Sequence, residues 1–140
     1  MTIDGLDDDT IRAILTNTRR IALVGASKNP ERAAHGIQRF LQQRGYDVTP
    51  VNPGIAGQIL DGRTVVGALD DAAPLDMVDV FRASEYAGGV VDDAIRLGAK
   101  VVWMQLGVID KAAAARGRDA GLTVVMNRCP AIEVARLGMG

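Results

Sequence analysis

Short apolar runs alternate along this chain with stretches in which apolar residues recur at helical spacing. Arg20 to Gly25, Tyr46 to Val51, Met77 to Phe81, Val101 to Gln105 and Leu122 to Met126 read as strands. Most of them run without polar alternation, the pattern of a sheet covered on both faces. Between them, Ile37, Phe40 and Leu41 mark a core-facing stripe on a helix from Pro30 to Arg44, closed by Gly45. A second helix runs from Ser84 or Glu85 to Leu97 and closes at Gly98; an Ala-rich third runs from Ile109 to Asp119 and ends near Gly121. Ahead of the first strand, residues 3–19 read as a helix capped by Asp9 or Thr10, with Ile11, Ile14 and Leu15 covering an edge of the sheet. A short helix over Ile132 to Leu137 ends the pattern. Asn52-Pro53-Gly54 stops the second strand. Residues 55–69 are Gly-rich and ambiguous, with a short strand at Thr64 to Val66, and Asp70 to Pro74 reads as a turn or helical fragment.

This succession predicts an α/β fold: a doubly wound, mainly parallel sheet of about five strands with helices on both faces. Residues 1–140 make one domain, with 1–19 packing on the sheet. Ligands of such sheets sit beyond the carboxyl ends of the strands. Those ends are Gly25-Ala26-Ser27, Val51-Asn52-Pro53, Phe81-Arg82, Gln105-Leu106-Gly107 and Asn127-Arg128-Cys129, each Gly-rich or polar. The first is the most informative. A strand that turns into a helix through Gly25 presents backbone N–H groups and a helix dipole, both of which favour phosphate. Pro30 suits the first helical turn. Ser27 serves as a helix cap, a phosphate contact or both. Lys28, Arg32 and Arg82 supply cations, and arginine grips phosphate through paired hydrogen bonds.

Composition narrows the ligand. The chain has 16 basic and 17 acidic residues, which argues against a nucleic-acid binder driven by bulk charge. Its one cysteine, Cys129, excludes an internal disulfide and a cysteine metal cage. No apolar run approaches the roughly 20 residues of a membrane span, and the acidic start at Asp4, Asp7, Asp8 and Asp9 has no apolar signal core. A cytoplasmic protein is expected. NAD fits poorly: the turn has only the first glycine of G-x-G-x-x-G, and Asn52 stands where an acidic residue would take the ribose hydroxyls. No P-loop motif occurs.

Taken together and in order, Gly25-Ala26-Ser27, Val51-Asn52-Pro53, Asp79-Val80-Phe81-Arg82, Trp103-Met104-Gln105-Leu106-Gly107 and Asn127-Arg128-Cys129-Pro130 resemble the small stand-alone CoA-binding proteins. That family is similar to the CoA-binding domain of the succinyl-CoA synthetase alpha subunit. The resemblance spans roughly residues 15–138. It implies a Rossmann-like fold that binds coenzyme A, with the turn after the first strand against the nucleotide phosphates. The expected site is Gly25, Ala26, Ser27, Lys28, Arg32, Val51, Asn52, Pro53, Phe81, Arg82, Gln105 and Gly107. In the synthetase, catalysis needs a phosphorylated histidine on a second domain. Here the sole histidine, His35, falls in the first helix after the turn, so ligase activity is not carried over.

Other polar residues have plainer readings. Asp79 interrupts an apolar strand and needs a partner, since an unpaired buried carboxylate is costly; a structural ion pair with Arg82 or Arg128 is expected rather than a catalytic acid. Trp103, Met104 and Met126 read as core. Cys129 lies at the mouth end, where a thiol activated by Arg128 would form a mixed disulfide with CoA. No nucleophile–base pair can be assembled from the motifs. The expectation is therefore a non-catalytic module for CoA or acyl-CoA. The alternatives are a subunit of a CoA-thioester or nucleotide-dependent enzyme completed by a partner chain, and an NAD(P)-binding protein. A protein partner or homo-oligomer stays open.

Overall fold

The computed structural model describes residues 2–140. Five parallel strands form the main sheet: β1 (Arg20–Val24), β2 (Asp47–Val51), β5 (Met77–Val80), β6 (Val101–Met104) and β7 (Thr123–Val125). Their spatial order is β2-β1-β5-β6-β7. The chain starts inside the sheet, steps out to β2, then crosses back to pair β5 with the other side of β1. This is the doubly wound order 2-1-3-4-5 with its switch point between β1 and β5. A small antiparallel hairpin, β3 (Ile59–Leu60) and β4 (Arg63–Thr64), lies beyond β2. The ambiguous stretch thus holds a hairpin rather than one strand at 64–66, and Val66 makes a single parallel bridge to Val51.

Helices cover both faces. The Ala87, Val91 and Ala94 stripe of α3 (Ser84–Arg96) and Ala113 and Ala114 of α4 (Lys111–Asp119) pack in one cluster with Ala22, Val78, Val102 and Val124 of the strands. The opposite cluster joins α1 (Asp8–Asn17), α2 (Ala33–Gln43) and α5 (Pro130–Arg136) to Ile21, Leu23, Met77, Trp103 and Val125. Ile11, Ile14 and Leu15 of α1 therefore pack over a sheet face, not an edge. The cap of α1 is Asp7, whose carboxylate accepts from the Thr10 N–H at 2.8 Å, in place of Asp9 or Thr10. The first helix after the turn begins at Ala33 rather than Pro30. Ser27 Oγ takes the Asn29 N–H and Asn29 Oδ1 takes the Glu31 N–H, so local side-chain turns absorb that segment before the helix starts.

Residues 2–6 cross the end of β7 as a strap. Arg128 Nε and Nη2 donate to both oxygens of Asp4 at 2.8 Å, and Nη1 donates to Glu133 at 2.6 Å. Asp4, Arg128 and Glu133 are all buried. Burial alone would raise the Asp4 carboxyl; the Arg128 guanidinium and the N–H groups of Leu6 and Met126 outweigh it and hold the group at about 2. The main-chain carbonyl of Arg128 accepts the Trp103 indole N–H at 2.8 Å, which fixes the largest core side chain.

Arg128→Ala leaves the buried Asp4 without its cation and Glu133 with Arg136 alone, and is expected to destabilise the fold by about 3–5 kcal/mol, read as a lower denaturant midpoint. Because the native Asp4 value lies below its unfolded value, its contribution is full above pH 4. It fades as the pH falls toward about 2. An acid titration of the native protein followed by circular dichroism should show that limb, and Asp4→Asn should lack it.

Candidate functional site

The carboxyl ends of β1, β2 and β5 enclose a cavity of about 810 Å3, within the range of small-molecule sites. Its geometry begins at Gly25, which turns the chain out of β1 with φ +94°. A Cβ at this position would stand 2.6 Å from the Phe81 carbonyl oxygen. Only glycine allows both that backbone conformation and that approach of β1 to the end of β5. The N–H groups of Gly25 and Ala26 both donate to the Val51 carbonyl, at 3.0 and 3.3 Å. These two donors, expected to face a phosphate, are instead spent holding the turn to β2. Asn52 completes the brace. Its Nδ2 donates to the Ala26 carbonyl at 2.8 Å and its Oδ1 accepts the Gly54 N–H at 2.8 Å. Asn52 positions the turn, and both ends of its side chain are engaged.

The donors that remain lie at the start of α2. Ala33 and Ala34 line the cavity, and among the described residues their N–H groups have no protein partner. The N-cap of α2 is Arg32, which makes no side-chain capping bond, and the first turn carries no acidic residue. A cation at an uncapped helix N-terminus opposes the dipole and is relieved by an anion. Arg32 and Arg82 both line the cavity, and neither pairs with a carboxylate among the described residues. Arg82 lies over the Tyr86 ring at 4.8 Å. The facing wall carries Asp70 and Asp93, both held by Arg96, with two bonds to Asp70 at 2.8 and 2.9 Å. That wall carries one cation for its two carboxylates, whereas Arg32 and Arg82 carry charge with no carboxylate partner among the described residues.

Nine of the twelve expected site residues meet in this cavity: Gly25, Ala26, Ser27, Arg32, Val51, Asn52, Pro53, Phe81 and Arg82. Three do not line it. Lys28 is exposed outside the lining, and Gly107 lies beyond β6 with its N–H donated to Asn127 Oδ1 at 2.8 Å. Gln105 is buried. The wall formed by Gly67 to Asp70 and by Val90 and Asp93 of α3 went unread. The signal for it was faint, a Gly-rich stretch and an i,i+3 pair on one helix face.

Asp79 corrects the ion-pair expectation. It is fully buried, in register with Leu23 of β1 and Trp103 of β6, and neither carboxyl oxygen has a hydrogen-bond partner among the described residues. Arg128 is committed to Asp4 and Glu133, and Arg82 to Tyr86. Burial pushes the Asp79 carboxyl up to about 8, with the nearby Gln105 side chain offsetting part of the rise. The Nε2 of Gln105 is itself unpartnered.

Comparison with known proteins bears on this site. The model of the family described as CoA binding domain matches residues 19–135. An uncharacterized protein of Bacillus subtilis (strain 168), YneT, is 37% identical over 125 residues, covering 89% of this chain and 90% of that protein. A hypothetical protein from Pyrococcus horikoshii OT3 superposes with a TM-score of 0.93 at 42% identity, covering 100% of this chain and 97% of that one. A dinucleotide-forming acetyl-coenzyme A synthetase 1 of Ca. Korarchaeum cryptofilum, solved with phosphate and ADP, is 26% identical with a TM-score of 0.70. That match covers 80% of this chain and 26% of the synthetase.

Two outcomes are expected from these contacts. Gly25→Val forces a Cβ into the Phe81 backbone and strains the turn, so it should lower the thermal midpoint even without ligand, by about 2 kcal/mol or more of stability. For Asp79 the folded value lies above the unfolded one, so the native state is favoured at low pH. Stability is lost as the pH rises from about 4 to about 8 and levels off beyond. Asp79→Asn should remove that slope and raise stability at pH 8 by on the order of 1–3 kcal/mol in denaturant titrations.

Proposed function

The chain belongs to the CoA-binding domain family, and on that premise we propose that it binds coenzyme A in the cavity at the β1/β5 switch point, as a cytoplasmic binding module without chemistry of its own. The carrying observation is the pair of arginines without a carboxylate partner among the described residues, Arg32 and Arg82, beside the uncapped start of α2. A pyrophosphate bound there would take the Ala33 and Ala34 N–H groups and both guanidinium groups. Charge-assisted bonds of this kind are the strong ones. The exposed Lys28, next in the chain to Ser27 of the lining, would supply a further cation for a 3′-phosphate.

A binding role rather than catalysis is supported by what surrounds the cavity. Among the described residues its lining holds no histidine, cysteine or lysine, and Ser27 Oγ already accepts the Asn29 N–H at 3.1 Å. The NAD(P) reading is disfavoured by Asn52, whose side chain is tied to Ala26 and Gly54 and is not free for a ribose hydroxyl. A second reading, a subunit that a partner chain completes, draws support from the synthetase match, in which a domain of this kind occupies about a quarter of a larger chain.

Melting curves with coenzyme A, dephospho-CoA and NAD test the proposal. At about a hundred times the dissociation constant a ligand stabilises by roughly 2.7 kcal/mol, about 5–15 °C for a domain of this size. A shift with coenzyme A and none with NAD is expected, and Arg32→Ala and Arg82→Ala should each weaken CoA binding by about 5–150-fold. Unchanged affinity in both variants defeats the site.

A further inference from the structure

The loops after β5, β6 and β7 are fastened to one another. Ser84 Oγ donates to the Gly107 carbonyl at 3.2 Å and accepts the Ile109 N–H at 2.9 Å. Asn127, in the left-handed region at φ +58°, takes the Gly107 N–H. Over the ends of β6 and β7, next along the sheet from the switch-point cavity, lies a second cavity of about 540 Å3.

The two cavities differ in character. Four charged residues line the second one, and every one of them is already paired: Arg128 with Asp4 and Glu133, Arg136 with Asp8 and Glu133. Among the described residues lining it, no cation is left without a carboxylate partner. The rest of the lining is mixed: Thr2 and Asn127 are polar, and three aliphatic side chains stand at the rim. Leu106 is 56% exposed, Ile132 52% and Ile3 41%, and the side chains of Met126 and Cys129 are buried beneath. Single exposed aliphatic residues are ordinary on a protein surface, but three around one concavity mark a place where apolar surface is covered in use. An uncharged, aliphatic occupant suits such a lining.

We propose that this second cavity holds the aliphatic acyl group of a CoA thioester whose nucleotide lies in the first cavity, an inference that rests on the coenzyme A reading above. The end of β7 is two strand spacings, about 10 Å, from the end of β5, a span the pantetheine arm covers. The ligand is then an acyl-CoA rather than free coenzyme A. The anion is read at Arg32 and Arg82, and the acyl chain between Leu106 and Ile132.

Titration calorimetry with coenzyme A, acetyl-CoA, butyryl-CoA and hexanoyl-CoA tests this. Affinity is expected to rise with acyl length, by about fourfold for each methylene taken out of water. The double variant Leu106→Ser/Ile132→Ser alters two exposed positions outside the first cavity. It should bind free coenzyme A like the native protein and lose the gain from acyl length. A flat acyl series with coenzyme A still bound overturns this inference and leaves the nucleotide reading standing. No binding of any of the four ligands overturns both. A flat series together with a concentration-dependent dimer that the double variant abolishes, seen by sedimentation, assigns the patch to a second copy of the chain and also overturns it.

Discussion

The approach of β1 to β5 at Gly25 is the contact on which the carboxyl end of the sheet depends. With no Cβ, the chain can leave β1 in a left-handed conformation while passing against the Phe81 carbonyl. That path brings the Gly25 and Ala26 N–H groups onto Val51 and leaves the Ala26 carbonyl for Asn52. Three strand ends are thereby drawn together, and α2 starts late enough for its free N–H groups to face the cavity they enclose. The glycine acts through this packing, not through direct room for a phosphate.

Polar groups in this fold are treated in two opposite ways. Arg128 is buried with every strong donor satisfied, and its partners come from both ends of the chain. Asp79 is buried with no hydrogen-bond partner among the described residues, two residues short of the strand tip that carries Phe81. A satisfied network stiffens what it joins, whereas an orphaned carboxyl is tolerated in its neutral form and costs stability once ionised. Arg32 and Arg82 at the switch-point cavity are a third case, with no carboxylate partner among the described residues and exposed enough to be solvated.

Much of this was legible from the chain alone. In a parallel sheet the strand ends fall on one side, so reading the residue after each apolar run collects the site without knowing the strand order. That is why Gly25, Asn52, Phe81 and Arg82 could be named together. The failures have specific causes. Pro30 carried the mark of a first helical turn, yet Ser27 and Asn29 closed local turns there; Pro130, in the same kind of setting, does sit in the first turn of α5. Gln105 and Gly107, which do not line the cavity, follow β6, one strand along the sheet from it. Arg128 was available on paper as the partner of Asp79, but its true partner, Asp4, lies 124 residues away, and no local pattern announces a contact of that range.

That separation has a consequence for how the protein is made. Asp4 leaves a ribosome 124 residues before Arg128, so the strap cannot settle until that whole stretch has been synthesised. The β2-β1-β5 half of the sheet can form earlier, while the end of β7, the indole anchor on the Arg128 carbonyl and the seat of α5 wait for the final segment. A chain stopped before Arg128 would carry a nearly finished switch-point cavity beside an open, sticky flank, a form more exposed to aggregation than either the nascent start or the finished domain.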